Sequence, residues 1–169
     1  MKYHLLHNIG ESPSKESHIA SNYHTREQGQ QATGILTFDG VYKNVYKNKD
    51  ILKDKQVILF VMGDYIGGDN SFDTGMPHEQ YCTMKELEEL QSIGCEIGWH
   101  TWSHRDLTKL SLSEIEKEVT PPFPMKKFAY PYGRFDAKIV EAVKRAGFEE
   151  AFGVYHTDGT QWTIQRPYL

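Results

Sequence analysis

Apolar and polar positions along this chain fall into two regimes: short, solid apolar runs, and longer stretches in which apolar residues recur at helical spacing. Residues 3–6 read as a first strand with His7 at its C-terminal end. Residues 8–33 are polar without a clear period and predict a loop with one irregular helix. Residues 34–38 are apolar and β-branched, a second strand stopped by Asp39-Gly40. Val41, Val45, Ile51 and Leu52 share one face of a helix, with lysines and asparagines outside. Residues 56–62 are almost all apolar, as in a strand buried on both faces. Residues 63–81, rich in glycine and acids, predict a long surface loop at an active-site rim. Thr83 with Glu86 forms a capping box for a helix that runs through Ile93 and stops at Gly94. A short strand, Cys95-Glu96-Ile97, follows and ends at Trp99 or His100. Ser113 with Glu116 predicts a second capping box, on a helix cut short by Pro121, Pro122 and Pro124. Residues 127–130 form a strand leading into Pro131-Tyr132-Gly133. Asp136 caps a helix that turns Ile139, Val140, Val143 and Ala146 inward and closes at Gly147. Residues 150–154 and 163–165 are the last strands, and no internal repeat is present.

Strands alternating with helices predict an α/β fold with a parallel strand core, and buried strands of this kind can close into a barrel. In such barrels the site is made by side chains at the C-terminal strand ends. His7, Asp39, His100 and Tyr132 all occupy that position. His100 and His104 lie four residues apart in Gly98-Trp99-His100-Thr101-Trp102-Ser103-His104. Coiling of the chain past the strand end turns both imidazoles to one point, and neutral imidazole is a good ligand for zinc and similar divalent ions. The competing reading of this pair is a turn with two partly exposed histidines.

The remaining sequence properties narrow the class. A chain of 169 residues is one domain, spanning 1–169. With 38% hydrophobic and 25% charged residues it has the make-up of a soluble globular protein. A net charge of −4 offers no basic surface for nucleic acid. No apolar run approaches the roughly 20 residues needed to span a bilayer. The polar start of the chain is no secretory signal, so the expected location is cytoplasmic, or extracellular or periplasmic if a signal was removed. Cys82 and Cys95 sit in unlike contexts and predict no disulfide, one a loop thiol and the other a buried core thiol.

Three segments in order carry a family pattern: Thr37-Phe38-Asp39-Gly40, then Gly98 through Asp106-Leu107, then Phe128-Ala129-Tyr130-Pro131-Tyr132-Gly133. They resemble the first three motifs of the polysaccharide deacetylases, the NodB-homology group of metal-dependent carbohydrate esterases. The resemblance runs from about Leu5 to the C-terminus, weakly over 11–33, and includes Gly147-Phe148-Glu149-Glu150-Ala151-Phe152. It implies a distorted, incomplete (β/α) barrel that hydrolyses N-acetyl groups of an amino sugar or polysaccharide, with a divalent metal, zinc by preference, as cofactor. His100 and His104 match the family's metal-binding histidines.

The departures from the pattern concern single residues. The family shows two adjacent aspartates, a general base and a metal ligand, where this chain has Asp39-Gly40. Asp39 therefore matches either role, and the resemblance is read with Asp39 near the metal and its other oxygen toward the nucleophilic water. An arginine that pairs with the base often stands where Ala129 is; Arg166 is the candidate replacement, the alternative being a solvated arginine. The C-terminal Leu-x-His that supplies the general acid is missing, whereas Leu5-Leu6-His7-Asn8-Ile9-Gly10 resembles the N-terminal element of a permuted subgroup. His7 is then the acid, with His4, on the opposite strand face, the weaker candidate. The Tyr132 backbone N–H would hold the oxyanion. Trp99 and Trp102 would wall the acetyl pocket or pack in the core. The rival readings are a weakened or inactive deacetylase fold that binds glycan, which Asp39-Gly40 favours, and a hydrolase of a small non-sugar amide.

Overall fold

The computed structural model describes residues 1–9, 23–155 and 158–168. Its main sheet has seven strands, all parallel: β1 (Tyr3–Leu6), β4 (Ile35–Asp39), β5 (Gln56–Val61), β6 (Glu96–Trp99), β7 (Lys127–Ala129), β8 (Glu150–Gly153) and β9 (Ile164–Gln165), in that spatial order. Between β1 and β4 the chain adds a two-stranded parallel ribbon, β2 (Asn8–Ile9) with β3 (Tyr23–His24), and helix α1 (Arg26–Gln31). The two edges of the main sheet approach each other, because Leu5 of β1 bridges Tyr168 and its N–H bonds Pro167 O at 2.9 Å. The sheet thus curls into a nearly closed barrel wrapped by helices, the distorted (β/α) architecture.

Strand alternation sorts the side chains into two sets. Leu36, Phe38, Val57, Leu59, Val61, Trp99 and Phe128 point outward. There they meet α2 (Lys43–Lys47), α3 (Met84–Ser92), α4 (Leu112–Val119) and α5 (Ala137–Arg145), which bury Val45, Leu87, Leu90, Ile115, Val119, Ile139, Ala142 and Val143. The alternate positions, Ile35, Ile58, Phe60, Ala129 and Phe152, fill the barrel. Gly98 is required there, since a Cβ would lie 2.6 Å from the Phe60 ring. Continuing the same alternation one step past this apolar plug brings His7, Asp39, His100 and Arg166 to the barrel mouth.

Several local expectations need correction. The cap of α4 is Ser111 with Glu114 as its box partner, not Ser113 with Glu116. Both pairs share the spacing, and starting two residues earlier lets Ile115 and Val119 face the core. The single helix expected over Val41 to Leu52 breaks at Asn48 into α2 and a 3₁₀ turn, Lys49–Leu52. Cys82 lies in the loop before α3 but is buried there, at 1% exposure, and burial pushes its pKa up to about 12. Val140 and Ala146 are only partly buried, and Ala142 takes the inward position. Much of the region read as a loop over 8–33, and Gly10 of the N-terminal element, lie outside the described residues. No helix among the described residues is long and apolar enough to cross a membrane.

Candidate active site

The mouth of the barrel holds a cavity of about 360 Å³ lined by His7, Asp39, His100, His104 and Tyr132. Five residues from four strand ends and one loop therefore share one opening. Arg166 lies just beneath it, fully buried.

Asp39 ends β4, and Arg166 grips it with two hydrogen bonds, Nη1 to Oδ1 at 2.6 Å and Nη2 to Oδ2 at 2.9 Å. This fork geometry is what a guanidinium offers and an ammonium does not. Arg166 also donates to Thr37 Oγ1 and Gly153 O, and its guanidinium carbon sits 5.1 Å from the Phe60 ring centre. Burial alone would raise the Asp39 pKa, but Arg166 and His100 overcome it and hold the carboxyl well below the usual range. Asp39 is a permanent anion on a fixed mount.

His100 follows β6. Its Nδ1 lies 2.7 Å from Ala129 O; a carbonyl only accepts, so Nδ1 carries the proton and Nε2 keeps a free lone pair. That Nε2 is 3.8 Å from Asp39 Oδ2. The His104 ring centre is 4.9 Å from that of His100 and 4.7 Å from that of Tyr132. Burial, then the neighbouring His100, pushes the His104 pKa down to about 3, and burial also lowers that of His100. Both rings are neutral at pH 7. His7 reaches the pocket from the end of β1, 6.1 Å from the Tyr168 ring. Burial lowers its pKa to about 4, with Asp39 acting in the opposite direction.

Thr101, His104 and Tyr132 all have left-handed backbones, with φ of 71°, 56° and 57°. Such strain in non-glycine residues persists only where the surroundings over-determine it. The loop of Thr101 and His104 is wired on every side: Gly63 N–H donates to Thr101 O, Asp64 N–H to Trp102 O, and His104 N–H to Thr101 Oγ1. Glu118 of α4, which sequence reasoning missed, accepts from the N–H groups of Trp102 and Ser103. Its signal was present, because Glu118 falls three residues after Ile115 on the buried stripe of α4. Trp99 and Trp102 pack edge to face at 5.0 Å, Trp99 in the core and Trp102 partly buried against it, and neither lines the cavity. Tyr42, Tyr81, Phe72 and Tyr168 do line it and were not singled out from the sequence. His4 is buried on the helix side of β1, away from the mouth.

Gly40 stands where an acid would extend the donor set. Its φ is +66°, and a Cβ there would lie 3.0 Å from Met62 Cε and 3.2 Å from Tyr81 Cε1. Among the described residues, no three His, Cys, Asp or Glu side chains form a ready metal cage. The histidine pair nevertheless has the chemistry of a divalent-metal site. Both rings are neutral, His100 offers Nε2 toward its neighbours, and His104 Nδ1 is buried with no hydrogen-bond partner among the described residues. His7 Nδ1 is likewise buried without one.

Comparison with known proteins bears on this geometry. The family model described as polysaccharide deacetylase matches residues 26–151, a span that includes Asp39, His100, His104 and Tyr132 but neither His7 nor Arg166. An uncharacterised 30.6 kDa protein of Geobacillus stearothermophilus is 34% identical over 89 residues, covering 50% of this chain and 28% of that protein. The poly-β-1,6-N-acetyl-D-glucosamine N-deacetylase of Staphylococcus aureus is 26% identical over 140 residues, covering 70% of this chain and 47% of that protein. The chain thus spans less than half the length of these relatives. In fold, it is similar to the deacetylase PplD of Streptococcus pyogenes solved with acetate, with a TM-score of 0.82, 15% identity, and 100% and 92% of the two chains covered. IcaB of Ammonifex degensii superposes with a TM-score of 0.73, 17% identity, and 99% and 91% covered.

Proposed function

We propose, from the premise that this chain belongs to the polysaccharide deacetylase family, that it hydrolyses N-acetyl groups of an amino-sugar glycan with the help of a divalent metal. The observation that carries the reading is the pairing of two kinds of group at one cavity. An anion fixed by a buried arginine stands beside two neutral imidazoles, one of which presents a free Nε2. The relatives' names support the substrate class, and the histidine pair supports the metal.

In this reading His100 and His104 hold the ion, zinc by preference, which supplies Lewis acidity toward the acetyl carbonyl and the attacking water. Asp39, kept ionised and aimed by Arg166, takes the proton of that water. Its low pKa makes it a weak base, so it serves only a water already made acidic. The grip of Arg166 on both carboxylate oxygens favours the base role for Asp39 over that of a third ligand. The Tyr132 N–H, on a turn set by Pro131 and Gly133, stabilises the oxyanion. His7 hands a proton to the departing amine. Being neutral at rest, it takes up that proton from solvent at the mouth as negative charge develops in the site and is neutral again after the transfer, while Asp39 returns the proton it took to solvent.

The test is acetate release from N-acetylglucosamine oligomers, measured before and after chelation and in His100→Ala and His104→Ala. Loss on chelation, recovery with zinc, and at least a tenfold loss of metal affinity in both variants support the proposal. Activity indifferent to chelation contradicts it. Gly40, in place of an acid, favours one second reading, a glycan-binding fold without catalysis; oligomer binding with no acetate release would establish it.

A further inference from the structure

The histidine loop is held at its base by one side chain on a helix. Glu118 is 8% exposed and sits near the C-terminal end of α4, where the neighbouring Ile115 and Val119 lock the helix to the core. Its Oε2 accepts from Trp102 N–H at 3.0 Å and from Ser103 N–H at 3.0 Å, and its Oε1 accepts from the Ser103 hydroxyl. Its backbone carbonyl accepts from Trp99 Nε1–H at 3.0 Å, and the carbonyl two residues on, Thr120 O, from Trp102 Nε1–H at 2.9 Å. Five donors within Trp99 to Ser103 thus converge on Glu118 of α4 and on Thr120, the residue that caps its C-terminal end. The strained backbone residues, Thr101 and His104, lie inside and directly after this segment.

Consecutive backbone N–H groups aimed at one point form an anion-binding nest, and here a protein carboxylate fills it. Only a group with acceptors on both atoms answers all three donors; an amide in its place turns an N–H₂ toward one of them. We infer that Glu118 is a positioning residue. It sets the path of residues 101–103 and through them the separation of the His100 and His104 imidazoles, and so tunes their affinity for a divalent ion. His100 is also fixed by β6 and Ala129 O, but His104 Nδ1 is buried with no hydrogen-bond partner among the described residues, so the placement of this ring depends on the loop. This inference rests on the metal-assisted reading above.

The test is zinc titration of the metal-free protein by calorimetry, paired with the visible spectrum of its cobalt form, for wild type, Glu118→Gln, Ser103→Ala and His100→Ala. Glu118→Gln is expected to lose at least tenfold in zinc affinity and to alter the cobalt bands, and Ser103→Ala at least threefold in affinity. A purely structural role would lower the melting temperature but leave the affinity and spectrum of the folded fraction as in wild type. If Glu118→Gln does not fold, Ser103→Ala, which lacks only the hydroxyl donor, carries the decision. Wild-type affinity in whichever variant carries it, alongside lost binding in His100→Ala, overturns this inference alone. A wild-type protein that binds no zinc overturns the metal-assisted reading, and this inference with it.

Discussion

Arg166 and Asp39, 127 residues apart in sequence, meet through two parallel hydrogen bonds of 2.6 and 2.9 Å beneath the barrel mouth. Neither charge is open to bulk water, since Arg166 is 0% and Asp39 7% exposed. Replacing one partner leaves the other buried and unpaired, which costs about 3–5 kcal/mol. Arg166→Met should therefore lower the melting temperature sharply, and Asp39→Asn/Arg166→Met should regain much of the loss without regaining activity. Thermal unfolding of the three proteins checks this. A neutral Arg166→Met change would contradict the pairing.

Acid should weaken the metal-free protein through its buried imidazoles. In the folded chain His104 has a pKa of about 3 and His7 of about 4, against an ordinary 6.5. The unfolded chain therefore binds protons that the folded chain refuses, and stability rises with pH wherever that holds. It is complete above about pH 6.5 and falls as pH drops from there toward 4. The slope is at most about 1.4 kcal/mol per pH unit for each histidine. Melting temperatures across this window should show the fall, and His104→Gln should make it shallower. A flat wild-type profile would contradict the neutral, buried state of these rings.

His7 separates chemistry from binding. His7→Ala should fold and keep zinc affinity while acetate release drops by roughly 10²–10⁴, the usual contribution of a positioned acid or base. Stopped assays beside zinc titration measure both. An unchanged rate removes His7 from the mechanism.

The barrel was legible because short, solid apolar runs ended at recognisable breakers. The C-terminal ends of β1, β4 and β6 mark His7, Asp39 and His100 in the sequence itself. Gly98 and Gly40 show what was not legible. One is required by the Phe60 ring across the barrel, and the other is crowded by Met62 and Tyr81, contacts that no local pattern encodes. Glu118 was obscured for a related reason. A glutamate in a helix reads as solvated unless its register with Ile115 is weighed, and its partners lie 15 and 16 residues away. The grip of Arg166 on both Asp39 oxygens is a long-range fact of the same kind. The sequence placed Arg166 at a strand end, but only the curled sheet brings β9 round to β4.

The proposed role of Asp39 is that of proton acceptor in a deacetylation beside a metal held by His100 and His104. The most direct measurement is acetate release from N-acetylglucosamine oligomers by zinc-loaded Asp39→Asn, with bound zinc determined on the same sample. Asparagine keeps the shape and removes the charge. Zinc content equal to wild type with acetate release lowered at least about 10²-fold is expected; wild-type acetate release from the zinc-loaded variant would contradict this role of Asp39.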